Sequence, residues 1–365
     1  MIINIFKVRP ILQLFRDITR KGFFHLLSAN FIIGFLGFGS QLLVAKFLTP
    51  IELGQVKVMQ SFIVVATILA GFGFNTAVLK LCSEKRSMRE RAYIFKQNFY
   101  YTAFPIVFVL ATLLILAKLR LLSPDSTVNK WLPIYMLSIP AMTYTSLIMV
   151  YLQALKKIQL MAKLQVFIRL FGFIILVSVT YFYGLVGFIL STVLIGHIAL
   201  SPLFNLVRGD FKNEAKVPNV FSASFFYAKW SVAGNAIATI GRYMDIFMLN
   251  YLIRDRESFG YYGLSTIFII GLSYITSTVQ TIATPYFSEK SDDKNEFIRV
   301  LKKYGKLMIL LALGVSIIAF LIVPPFIKIV YGDNYTSAGV FFRILVLKYF
   351  FWSCYALFGV AILGL

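Results

Sequence analysis

The sequence predicts an all-α polytopic membrane protein with about ten transmembrane helices, arranged as two pseudo-symmetric lobes of six and four. Composition, apolar runs and an internal repeat carry this reading. Of 365 residues, 59% are hydrophobic and 14% charged, whereas a soluble globular domain carries about 25% charged residues. The mean hydropathy of +0.80 excludes a soluble enzyme, a secreted disulfide scaffold and a disordered chain. The solvent of most of this surface is lipid.

The amino terminus, MIINIFKVRPILQLFRDITRK, is apolar but punctuated by Lys7, Arg9, Arg16 and Arg20. It has no uninterrupted apolar core followed by a cleavage site, so it reads as an interfacial amphipathic segment and not as a signal peptide. A span needs about 20 apolar residues. Ten runs qualify: 25–47, 56–80, 97–119, 131–153, 164–183, 186–206, 227–252, 262–285, 306–328 and 338–364. Between the fifth and sixth only YGLVG (183–187) is left to turn the chain. Strand-length alternation is absent, so helices rather than a closed barrel satisfy the backbone in lipid.

Placing the amino terminus inside puts 25 of the 36 Lys and Arg residues in inner segments and 8 in outer ones; Arg242, Arg343 and Lys348 fall within spans. That asymmetry predicts both termini in the cytoplasm. It also accounts for the net charge of +21 without nucleic acid. Cys82 lies in a basic loop and Cys354 in an apolar run, which suggests neither a disulfide nor a metal site.

The repeat links TPIELGQVKVMQS, with Gly54, to RDRESFGYYGLST, with Gly260, at an offset of 206 residues. The same offset carries the basic loop 82–96 onto 288–302, and RLLSPDSTVNK falls near IVYGDNYTSAG. Six spans per repeat would make the halves parallel. The expected lobes are residues 1–215 and 216–365. The second lacks a final helix pair, so the repeat reads the chain as C-terminally truncated.

Polar groups at mid-bilayer cost roughly 2.5–3.5 kcal/mol on insertion scales and normally face a cavity or a partner. In the seventh span Arg242 and Asp245 stand three apart on one face, with Asn235 on the same stripe. Lys348 lies deep in the tenth span and His197 at the middle of the sixth. Arg169 and Arg343 each lie about six residues into their spans, where snorkelling to the interface is the plainer reading. Stripes of small and polar residues occur at Asn30, Gly34, Gly37 and Gln41, at Thr143, Ser146 and Gln153, and at Ser273, Ser277, Gln280 and Thr284. Such stripes mediate helix packing in lipid or line a cavity. The expected cavity residues are Arg242, Lys348, Arg169, Arg343, Asn30 and Gln41. Asp245 and His197 are the expected ion-coupling residues.

The segment LLVAKFLTPIELGQVKVMQSFIVVATILAGFGFNTAVLK (42–80) resembles the opening two spans of Wzx-type polysaccharide flippases, through Lys46, Pro50, Leu53, Gly54, Gln60, Ser61, Gly71 and Gly73. Those proteins belong to the multidrug/oligosaccharidyl-lipid/polysaccharide exporter (MOP) superfamily. GRYMDIFMLNYL (241–252) resembles its Asp-bearing seventh span, and FGYYGLS (259–265) the entry to the eighth. PPFIKIVYGDNYTSAGVFFRILVL (324–347) resembles the ninth-to-tenth connection. The resemblance implies two lobes around a polar cavity. It implies flipping of an undecaprenyl-pyrophosphate-linked oligosaccharide to the periplasmic leaflet of the bacterial inner membrane, driven by H+ or Na+ antiport. The implied partners are that substrate, membrane lipids and other polysaccharide assembly proteins, with no cofactor and no nucleic acid. A lipid II flippase and a drug/cation antiporter share the fold. A polymerase or glycosyltransferase of the same pathway fits less well, because the outer loops are short and offer no acidic pair. The chain reads as a transporter, not an enzyme.

Overall fold

The computed structural model describes residues 23–211, 215–253, 255–289 and 293–363, with the side chains of 23–31 and a few near the ends of later helices not described. The expected interfacial segment therefore lies outside the described residues. Every regular element among the described residues is helical. The α-helices are α1 Phe23–Phe47, α2 Pro50–Gly71, α3 Phe74–Ser83, α4 Met88–Lys118, α5 Ser126–Tyr135, α6 Ser138–Ala154, α7 Ile158–Val207, α8 Val220–Leu252, α9 Arg256–Glu289, α10 Lys294–Tyr331 and α11 Ala338–Leu363. Short 3-10 turns cover Arg208–Phe211 and Asp333–Tyr335.

Helical segments occupy all ten expected runs, in order. Among the described residues, six helices are long and apolar enough to cross a membrane, or seven if α5 and α6, bent by 45°, count as one span. α7 passes that test as one helix, yet it contains the expected turn. Gly184 has φ 54 and ψ −136, and a Cβ on Gly187 would lie 2.4 Å from the Val179 carbonyl oxygen. Residues eight apart in a straight helix stand about 12 Å apart, so the chain doubles back within one residue.

Two expectations need correcting. The second span is not continuous: it breaks between α2 and α3, where Phe72 (φ 46) and Gly73 (φ 76) take left-handed conformations. Gly73 is required there, because a Cβ would lie 2.3 Å from the Ala228 carbonyl oxygen and 2.9 Å from the Val232 nitrogen of α8. The loops are also shorter than hydropathy suggests, since helices begin inside charged segments. Ser87 caps α4 and forms a reciprocal capping box with Glu90. The Ser87 N–H and hydroxyl donate to the Glu90 carboxylate at 2.8 and 2.9 Å, which holds that carboxyl below its ordinary range. Thr49 and Glu52 make the same arrangement at the start of α2. The Thr49 N–H donates to Glu52 Oε2 at 2.9 Å, and the Glu52 N–H donates to Thr49 Oγ1 at 3.3 Å. Pro50 then occupies the first helical position, where a missing N–H costs nothing.

Packing divides the chain into two compact units. One comprises the residues up to Gly37 with Met59–Phe247, the other Phe38–Val58 with Met248–Leu365. These units do not follow the chain-order lobes 1–215 and 216–365. In the first unit, Phe74, Val78 and Leu81 of α3 pack with Ile94 and Phe95 of α4, Leu147 and Tyr151 of α6, and Leu203 of α7. Phe95 stacks on Tyr151 at 4.1 Å and Phe99 on Tyr144 at 4.2 Å. The Tyr151 hydroxyl donates to Asp210 at 2.9 Å. Outward faces stay apolar: Phe104 and Phe108 of α4 are exposed, as helices solvated by lipid require.

In the second unit the hairpin tip 38–58 packs into the helices that follow α8. The repeat-equivalent glycines meet here. A Cβ on Gly260 would lie 1.9 Å from the Pro50 carbonyl oxygen, and one on Gly54 2.9 Å from the Phe259 ring. Tyr331 and Tyr335 donate their hydroxyls to the Leu42 and Leu48 carbonyls at 3.0 and 2.9 Å. A Gly260→Ala substitution must therefore displace backbone, and overpacking of that kind costs about 1–3 kcal/mol or more. Gly305→Ala, where nothing lies within 4 Å, should be neutral or stabilising by up to ~1 kcal/mol. Thermal unfolding of the purified protein should separate the two; equal melting temperatures would contradict the close approach.

Candidate functional site

In the first unit, Arg242 and Asp245 lie on α8, Arg242 exposed and Asp245 half-buried. The Ile246 N–H donates to Asp245 Oδ1 at 2.9 Å. Asn235 donates to Ser231 at 3.1 Å, and Ser231 shares a 2.6 Å hydrogen bond with Thr76 of α3. The polar stripe of α8 thus runs onto the helix that follows the break. Arg169 and His197 lie on opposite legs of α7, both exposed. The His197 ring donates from Nδ1 to the Val193 carbonyl at 2.9 Å, within its own helix. Asn30 lies in α1, but its side chain is outside the described residues.

The second unit holds Gln41, Arg343 and Lys348. Arg343 and Lys348 are exposed on α11. The Arg343 guanidinium lies 5.4 Å from the centre of the Phe320 ring, a cation–π contact. Gln41 finds a partner that sequence reasoning passed over: Lys57 donates to its Oε1 at 2.9 Å. Hydropathy assigned Lys57 to the outer end of a span. It is in fact 7% exposed, and its stem packs where a Cβ on Gly263 would meet Lys57 Cγ at 3.0 Å. The signal was present in TPIE, whose Thr and Glu cap a helix starting at Pro50 and so set Lys57 two turns inside it. A buried lysine held by a neutral amide is costly and marks this hairpin tip as more than a linker.

The α9 stripe divides. Ser273, Ser277 and Thr284 donate to carbonyls of their own helix, the bland outcome for hydroxyls in lipid. Gln280 reaches across to the Ala356 carbonyl of α11 at 2.8 Å. Thr276, which the stripe did not include, is buried against Tyr349 at 3.1 Å and Ser353 at 3.0 Å. On α6, Thr143 is buried, and Ser146 accepts from Asn75 of α3 at 2.9 Å. Among the described residues, no group of three or more His, Cys, Asp or Glu could hold a metal ion.

Similarity to known proteins agrees with this architecture. The chain is similar to a solved lipid II flippase MurJ in an inward closed conformation, with a TM-score of 0.73 at 14% identity, over 93% of this chain and 75% of that one. It is also similar to an inward-facing MATE-family multidrug resistance transporter of the MOP superfamily. That TM-score is 0.63 at 11% identity, over 93% and 86% of the two chains. Identities this low show the fold alone, which this chain shares with both transporters. A putative O-antigen transporter of Shigella flexneri is 27% identical over 147 residues, 38% of this chain and 35% of that protein. The match thus spans about a third of that relative's length. Residues 43–339 match the profile of the polysaccharide biosynthesis protein family, most of the chain from the first hairpin to the start of α11, and the protein belongs to that family.

Proposed function

We propose that the protein flips an undecaprenyl-pyrophosphate-linked oligosaccharide repeat unit from the cytoplasmic to the periplasmic leaflet of the bacterial inner membrane, for O-antigen, capsule or exopolysaccharide synthesis. The observation that carries this reading is the conjunction of a polysaccharide biosynthesis family match with the MOP-superfamily fold. The halves 1–215 and 216–365 would serve as the two lobes of an alternating-access cycle. Intramembrane cations outnumber acids: Arg242, Lys348, Arg169 and Arg343 stand against Asp245. A cationic lining suits a pyrophosphate, whose oxygens accept charge-assisted hydrogen bonds from Arg and Lys, better than it suits a cationic drug. A lipid II flippase would use the same chemistry; rescue of cells depleted of their lipid II flippase, without rescue of a surface-glycan defect, would favour it.

Transport by this reading is driven by an H+ or Na+ gradient, with both termini in the cytoplasm. Other polysaccharide assembly proteins would supply the substrate and receive it. A reporter active only in the periplasm should be silent when fused after Leu365 and active when fused at Asp125. The opposite pattern would invert the topology.

Arg242→Gln and Lys348→Gln keep length and polarity but remove charge. Each should abolish complementation of a surface-glycan defect at matched membrane levels, while Arg242→Lys and Lys348→Arg should retain at least part of it. If all four variants match the wild type, the cationic lining has no role. Asp245→Asn should abolish gradient-driven flipping in proteoliposomes and leave substrate binding largely intact. A normal response of that variant to an imposed pH or sodium gradient would remove Asp245 from the coupling step.

A further inference from the structure

The break between α2 and α3 gathers polar groups that helix packing does not use. Thr143 of α6 is 1% exposed, and its Oγ1 has no hydrogen-bond partner. The Asn75 carbonyl oxygen is also buried without a partner, although its amide nitrogen donates to Ser146 at 2.9 Å. The two orphans belong to one layer of packing. A Cβ on Gly71, the last residue before the break, would touch Thr143 Cγ2 at 3.8 Å. Asn75 stands just after the break and bonds Ser146, and Thr143 stands one turn before Ser146 on α6. Leaving such groups buried and unsatisfied is costly. A threonine hydroxyl in a helix can usually turn back to the carbonyl four residues earlier, as Thr112 does with Phe108 and Thr192 with Phe188. Thr143 does not.

What surrounds these oxygens selects the ligand. α2 ends at Gly71. The Leu69 carbonyl accepts the Phe72 N–H at 3.0 Å, while carbonyls at a helix end beyond such a turn lack intrahelical donors and carry partial negative charge. The break is held open by α8, whose Ala228–Val232 backbone fills the space beside Gly73. Interrupted helices in membranes expose carbonyls that coordinate alkali cations. The geometry points to a monovalent cation site at this break, formed by Asn75 Oδ1, Thr143 Oγ1, Ser146 Oγ and the terminal carbonyls of α2. The donors are all neutral oxygens. A divalent ion would bring two charges into a low-dielectric setting with no carboxylate to offset them, whereas a single charge suits carbonyl and hydroxyl dipoles. The site lies away from Asp245, and it takes sodium whether or not that carboxylate couples transport. In the proposed flippase it would let a sodium gradient act through the break itself.

Sodium binding should stabilise the folded state by mass action. The full chain, purified in detergent, should melt about 2 °C or more higher in sodium chloride than in choline chloride at equal ionic strength. Thr143→Ser should keep that increment. Thr143→Val should lose it while melting no lower than wild type in choline chloride, because it removes an unsatisfied hydroxyl. Asn75→Asp, which adds a carboxylate at the same place, should enlarge the sodium increment. A buried water in place of the cation would make melting the same in both salts, and that result overturns the site. Retention of the full increment by Thr143→Val overturns it as well. Complementation is scored separately. A protein with the sodium increment that fails to restore the surface glycan supports the site and counts against the flippase reading. A complementing protein without the increment does the reverse.

Discussion

The contact between the first hairpin tip and α9 is the constraint on which the second unit depends. Gly260 sits against the Pro50 carbonyl and Gly54 against the Phe259 ring, so two helix starts approach to backbone contact. Small residues permit such approach where lipid offers no hydrophobic gain for bringing helices together. Once the backbones are this close, Lys57 is sealed behind Gly263 and must take Gln41 as its partner. The hydroxyls of Tyr331 and Tyr335 then close on carbonyls of α1 and of the turn that follows it.

Both units carry hydroxyl and amide bonds between helices, Asn98 to Ser224 and Asn75 to Ser146 in the first, and they differ in what accompanies those bonds. The second unit uses buried hydroxyl and amide bonds between helices, with Thr276, Tyr349, Ser353 and Gln280 linking α9 to α11. The first relies on an aromatic core around Phe95, Phe99 and Tyr151, joined to the basic segments through Asp210. Cys82 belongs to that core.

How far the sequence could be read depended on which signal was used. Hydropathy located ten apolar runs that helical segments occupy, six or seven of them as helices long and apolar enough to cross a membrane among the described residues, because a run of 20 apolar residues has few alternatives in lipid. It misjudged helix starts, because a helix can begin in charged residues when its first turn is capped; TPIE and SMRE carry that information in side-chain chemistry that a hydropathy window averages away. The reversal at YGLVG was legible because Gly184 supplies a left-handed residue that few others tolerate. The break at Phe72 was not, because Phe72 is no turn former; the reason lies in the α8 backbone pressing on Gly73, a tertiary fact. Among site residues, Arg242, Asp245 and Lys348 stood out because charge in an apolar run is rare. Lys57 did not, since a lysine near a span end is ordinary until burial is known.

The reversal within α7 also bears on how the chain enters the bilayer. Residues 158–183 and 185–207 are joined by Gly184 alone, so there is no polar segment to carry across on its own. The two legs must be accommodated during synthesis as one hairpin, and the far side of the membrane receives almost nothing from it. Their sidedness is then fixed by what flanks the pair, Lys156 and Lys157 before it and Arg208 after it, rather than by any loop of their own.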